Sequence, residues 1–185
     1  AHLSVETAGL TPGLFVHNDH LAPWAGDVRW SLETFSGAVL AQGAQLVELG
    51  PLSVARAAVA DCTALVDASN RRDVALVAEL WQAGQRLVLG VTPFAPDKHL
   101  RLPDPAIAAE VSLERGRLSV RLRADSLARY VELALDGADV VWSDNYLDLP
   151  AGRDMTVSCA LPAGWGLERA RAALRVRSLV NSYRS

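Results

Sequence analysis

The chain carries only two cysteines, Cys62 and Cys159. That is too few for a disulfide framework and too scattered for a structural zinc site, which takes about four ligands at close spacing. Both therefore read as buried thiols. No apolar run approaches the ~20 residues that a helix needs to cross a bilayer, so no membrane partner is expected. The opening Ala1-His2-Leu3-Ser4 is not a basic segment leading into an apolar core. A basic stripe is absent too. The net charge is -3 and the isoelectric point is near 5.8, which argues against a nucleic-acid partner, because neutralising phosphates takes concentrated positive surface. Lys98 is the sole lysine and Ile107 the sole isoleucine, a composition bias from which no function follows.

Reactive constellations are equally scarce. The serines lack a Gly-x-Ser-x-Gly setting, neither cysteine has a histidine close by in sequence, and no glycine-rich phosphate loop occurs. The expectation is a chain that is no enzyme by itself and uses no cofactor or metal.

What is present is the make-up of a packed protein. Half of the 185 residues are hydrophobic and 21% are charged, so a core can form and disorder is not expected. Pro93, Pro96, Pro103 and Pro105 crowd into one short stretch that resists both helix and central strand. A domain boundary belongs there, giving units 1–95 and 96–185, each the size of an immunoglobulin-like sandwich. In the second unit, Leu118 to Arg123 alternates strictly between apolar and polar, as do Val131, Leu133 and Leu135 with their neighbours. Arg115-Gly116 and Asp136-Gly137 sit between such runs and predict a β-meander. Met155 to Ala160 and Leu174 to Ser178 add two further strands. In the first unit, strands are expected at Leu3 to Thr7, Gly13 to Asn18, Val28 to Phe35 and Gln85 to Thr92. The alanine-rich stretch from Ser53 to Trp81 suits helix by propensity, but regular strand spacing on either side favours strands. The expected fold is all-β, with two tandem immunoglobulin-like β-sandwich domains.

One segment is more specific than the rest. Trp142-Ser143-Asp144-Asn145-Tyr146-Leu147-Asp148-Leu149 resembles a stretch in the last domain of β-mannosidases of glycoside hydrolase family 2. Phe94 to Pro105 resembles that family's connector between its last two domains. Val16-His17-Asn18-Asp19, followed by Trp30-Ser31-Leu32-Glu33, is similar to its penultimate domain. The resemblance implies a (β/α)8 barrel elsewhere in a longer protein, acting on terminal β-D-mannose, with these C-terminal domains as accessory scaffold. The chain begins without methionine inside an expected strand, as a segment of such a protein would. A retaining glycosidase needs two carboxyl groups about 5 to 5.5 Å apart. In this family the acid/base glutamate follows an asparagine, whereas Asn18, Asn70, Asn145 and Asn181 here precede Asp19, Arg71, Tyr146 and Ser182. The implied partners are the catalytic barrel and the other domains of the parent enzyme, with mannose-containing saccharides as a second class. An autonomous carbohydrate-binding module is the alternative.

Candidate contacts follow. Asp144, Asn145, Tyr146 and Asp148 form the most polar cluster next to a strand end and could take calcium or a sugar through oxygen ligands. Asn and Asp more often bond their own backbone to build a turn, with Tyr146 packed into the sandwich. Contact with the barrel is the third reading. Trp30 and Trp142 fall in phase with apolar neighbours and read as core. Trp24 and Trp165 stand beside glycines, are expected in loops, and are the better candidates for a sugar or interdomain contact. His17-Asn18-Asp19-His20 brings metal-capable types together, yet adjacent strand residues point to opposite faces. Arg169, Arg171, Arg175 and Arg177 are expected on one side of the final element.

Overall fold

The computed structural model describes residues 1–7 and 9–182 and divides into two compact units: Ala1–Thr34 with Ala38–Arg101, and Phe35–Gly37 with Leu102–Ser185. The first holds β1 (His2–Glu6), β2 (Gly13–Asn18), β3 (Trp24–Thr34), β4 (Val39–Leu49), β5 (Ser53–Val59), β6 (Val74–Gln82) and β7 (Gln85–Pro93). These form two antiparallel sheets, in the orders β1-β2-β5 and β4-β3-β6-β7. In β2 every second side chain, Leu14, Val16 and Asn18, turns inward. Val28 and Leu32 of β3 and Leu76 and Leu80 of β6 meet them from the facing sheet, all fully buried. Burying such a side chain stabilises by about 1.5–3 kcal/mol, so this face-to-face layer holds the unit together.

The ambiguous stretch Ser53 to Trp81 resolves into β5, a loop and β6. Every residue from Val74 to Leu80 is buried, so β6 shows no alternation. Propensity for helix loses here to ladders on both sides, with β3 and β7. Strand β4 had no counterpart in the sequence reading. Most of its side chains are exposed or half-buried, and Gly43 interrupts its pattern. That glycine is required, since a Cβ there would come within 2.7 Å of the Trp30 indole.

The second unit holds β8 (Ala108–Glu114), β9 (Arg117–Arg123), β10 (Ala128–Leu135), β11 (Leu147–Leu149), β12 (Asp154–Ala160), α1 (Leu167–Ala173), β13 (Leu174–Arg177) and α2 (Leu179–Ser182). Its sheets run β12-β9-β8 and β11-β10-β13. Arg115 and Gly116 both adopt positive φ, 50° and 77°, the backbone that closes a tight two-residue hairpin between β8 and β9. The expected meander is corrected at the next step. After β9 the chain crosses to the opposite sheet, and β9 pairs with β12 instead of β10. Strict alternation on β9 and on β10 gives each strand one inward face, which a sandwich satisfies by setting them in facing sheets. Leu118, Val120 and Leu122 thus pack with Val131, Leu133, Leu149 and Val157 in one core.

The arginine series is corrected as well. Arg169 and Arg171 lie on α1 and Arg175 and Arg177 on β13, so four exposed guanidinium groups are shared between a helix and a strand.

Cys62 and Cys159 are both fully buried, and burial pushes both thiols up from their ordinary value. A thiolate-directed reagent at neutral pH should therefore label neither in the native chain and both after denaturation. Fast native labelling of either would contradict this core.

Candidate functional site

The segment that follows Val141 runs along the edge of the second unit, and each of its side chains has a distinct task. Trp142 is buried in the core. Ser143 extends the pairing of β12, its amide donating to the Ser158 carbonyl at 2.7 Å and its hydroxyl accepting from the Ser158 amide at 2.9 Å. Asn145 then acts as a substitute strand. Its Oδ1 accepts the Leu133 amide at 2.8 Å and its Nδ2 donates to the Leu133 carbonyl at 3.2 Å. One carboxamide thereby satisfies both backbone groups of a β10 residue where β11 has not yet begun.

Asp148 does more. Its Oδ1 accepts the Tyr130 amide at 3.2 Å, and its Oδ2 lies 3.0 Å from Nη1 of Arg129, whose side chain is only 7% exposed. A bulge between Ala128 and Val131 makes this geometry. It buries both Ala128 and Arg129 and drives Tyr130 to a φ of 50°. Arg129 also donates from Nη2 to the Tyr130 hydroxyl at 3.1 Å, with its guanidinium carbon 4.9 Å from that ring's centroid. The sequence reading missed Arg129. Its only signal was a position directly before Tyr130 in a strand opposite the motif.

Two members of the cluster behave otherwise. Tyr146 was expected to pack into the sandwich; it is 61% exposed, with a left-handed φ of 58° and its hydroxyl donating to Glu132 at 3.2 Å. Its backbone is turned outward because Asn145 on one side and Leu147 on the other are both fixed inward. Asp144 is exposed and accepts only the neighbouring Asn145 amide, at 2.8 Å. Asn145→Ala should cost about 1–3 kcal/mol, since it strands the Leu133 amide and carbonyl. Asp144→Ala should stay within about 0.5 kcal/mol. Urea unfolding of the two variants beside the parent chain checks the order, and an equal loss from both would refute it.

Trp24 requires a correction. It opens β3 instead of lying in a loop, and is 7% exposed, with its ring so close to Gly26 that a Cβ there would meet it at 2.4 Å. The adjacent Ala25-Gly26 had suggested a loop, yet this glycine clears room for an indole laid along the strand. Trp165 does sit in a loop and is half-buried against the second core, with the Arg169 guanidinium 4.2 Å from its ring centroid. The cluster of Asp144 to Asp148 lies in the second unit and Trp24 in the first.

The histidine stretch divides as strand alternation requires. His17 Nε2 and the Ser4 hydroxyl are 2.8 Å apart, and the His17 and His2 rings stack with centroids 4.3 Å apart. Asn18 points inward, its Nδ2 donating to the Ala22 and Gly50 carbonyls at 2.8 Å each. Asp19 meets His2 at 2.8 Å. Among the described residues no three His, Cys, Asp or Glu side chains converge as a metal would require.

Two antiparallel sheets closing over one core in each unit, with a side-chain clamp on the edge of the second, define a pair of immunoglobulin-like sandwiches. Their family is recognisable. The mannosidase Ig/CBM-like domain matches residues 13–99, and the Ig-fold domain of mannosidases matches residues 102–182. The two units belong to these two families, one after the other: an Ig/CBM-like and an Ig-fold domain of the mannosidase type. Among solved structures it is similar to a β-D-mannosidase from Dictyoglomus thermophilum, with a TM-score of 0.84 and 20% identity over 96% of this chain and 21% of that one. The exo-chitosanase CsxA of Amycolatopsis orientalis aligns with a TM-score of 0.64 and 16% identity, over 95% of this chain and 25% of that one. The chain thus spans a fifth to a quarter of the length of these structures. No curated protein matches it by sequence.

Proposed function

We propose that the chain is the non-catalytic C-terminal accessory segment of a β-mannosidase that releases terminal β-D-mannose residues. One observation carries the reading. Two successive mannosidase-type sandwich domains occupy nearly the whole chain in order, and the same pair aligns over 96% of this chain with one-fifth of a β-D-mannosidase. The parent's catalytic carboxylates would then lie in a barrel outside these residues. The two units, which part at Arg101–Leu102 within the proline-rich connector, are its last two domains.

Exposed groups held in costly conformations favour a docking role for the second unit. A non-glycine residue with positive φ costs on the order of 1–3 kcal/mol, and Tyr130 and Tyr146 both adopt one while 40% and 61% exposed. We assign Asp144, Asn145, Tyr146 and Asp148 to contact with the rest of the parent enzyme, with Tyr146 as the touching residue and Asn145 and Asp148 as its supports. Trp165 belongs to the same class of contact. The pure chain, given a chromogenic β-mannoside, should show no turnover above buffer, and measurable turnover would overturn the non-catalytic reading.

A further inference from the structure

The stretch from Phe94 to Pro105 has the composition of a linker, because its prolines resist both helix and central strand. Its first part nevertheless folds with the first unit. Phe94 is buried in that unit's core and starts the stretch from a fixed point. A single turn of 3-10 helix, Asp97–His99, follows, its amides closing on carbonyls behind them: His99 on Pro96 at 2.8 Å and Leu100 on Asp97 at 3.1 Å. Arg101 is the last residue before the second unit resumes.

Three arginines fasten this arc to the loop before β6. Arg71 donates from Nε and Nη2 to the Phe94 carbonyl at 3.1 and 2.9 Å. Arg72 donates from Nε to the His99 carbonyl, and its own carbonyl accepts the Arg101 amide at 2.9 Å. Arg101 then reaches back, with Nε on Asp73 Oδ1 at 2.7 Å and Nη2 shared between the Ser69 carbonyl, at 2.8 Å, and Asp73 Oδ2. A planar fork held by both oxygens of one carboxylate fixes a direction, which a single point contact would not. Further on, Asp104 and Pro105 are tied within the second unit, their carbonyls accepting the Ser126 hydroxyl at 3.1 Å and the Asp125 amide at 2.9 Å. Leu102 and Pro103 stand between the two sets of bonds.

We infer that Phe94 to Arg101 is a latched strap and not a free linker: Arg101 is its positioning residue, Asp73 its catch, and the freedom of the connector is confined to Leu102 and Pro103. A free linker offers its backbone to any protease. A strap bonded at both ends and again at His99 opens only when those bonds break together. The latch is built from the chain's own residues and stands whether or not a parent enzyme has the activity proposed above.

Lys98 is exposed in the middle of the arc and is the sole lysine, so a lysine-specific endoproteinase can cut the 185-residue chain there and nowhere else. The native chain should resist cleavage under conditions that cut the heat-unfolded chain completely. Arg101→Ala and Asp73→Ala should each be cut about tenfold faster, because losing a charge-assisted pair of hydrogen bonds raises the population of the open strap. The double variant should be no faster than Arg101→Ala, since both changes remove the same contact. Val28→Ala, which hollows the core of the same unit away from the strap, should lower the melting temperature and leave the cleavage rate of the native chain near the parent's. The inference falls if the native chain is cut at the rate of the unfolded one, or if Arg101→Ala and Asp73→Ala are cut at the parent's rate. It falls too if Val28→Ala speeds cleavage as much as Arg101→Ala does, since the cut would then report global unfolding.

Discussion

Asp148→Ala should unfold the second unit more than 12 °C or so below the parent chain. The reason is the partner it abandons. Arg129 has a side chain only 7% exposed and faces Asp148 at 3.0 Å. Removing one member of a buried ion pair is strongly destabilising, at about 3–5 kcal/mol. For a domain of 60–100 residues each kcal/mol moves the midpoint by about 4–8 °C. The Tyr130 amide also loses its acceptor. Replacing both charges, as in Arg129→Leu with Asp148→Leu, should recover most of the loss, since packed apolar side chains often substitute for a buried pair. Calorimetry of the single and double variants decides it. A double variant as unstable as Asp148→Ala would show that geometry, not the loss of the ion pair, sets the cost.

Trp24→Ala should be comparably severe in the first unit, at about 3–5 kcal/mol, because an indole that is 7% exposed leaves a large cavity. Gly26→Ala probes the same contact from the other side. Its Cβ would meet the Trp81 carbonyl at 2.3 Å and the Trp24 ring at 2.4 Å, and a backbone atom cannot turn aside. If Trp24→Ala melted like the parent chain, Trp24 would not be a core anchor.

These two variants mark where the sequence was legible and where it was not. Strands with one buried face announce themselves: β2 and β9 alternate, and so their positions could be read directly. β6 could not, because burial on both faces erases the period. β4 could not, because an exposed edge strand with Gly43 under Trp30 carries little apolar signal. The order of strands between sheets also stayed hidden, since alternation says that a face is buried without saying against what. In the motif, the tendency of Asn and Asp to bond their own backbone accounts for the Asp144 and Asn145 contacts to the next amide. Asn145 and Asp148 bond backbone of another strand as well, which that tendency does not foretell. Leu133 and Arg129 reach them through antiparallel pairing of β10 with β11, which no local spacing encodes. Trp24 was misplaced because a glycine beside it served packing instead of a turn.

The central claim is that these residues support a mannosidase without performing its chemistry. The most direct measurement compares the parent enzyme with the same enzyme lacking this segment, each assayed on a chromogenic β-mannoside and melted. The account predicts that the parent turns over the substrate, that the isolated segment does not, and that the truncated enzyme melts lower and loses activity in step with its stability. A truncated enzyme with the parent's melting temperature and full kcat/KM, or an isolated segment that hydrolyses the substrate, would contradict it.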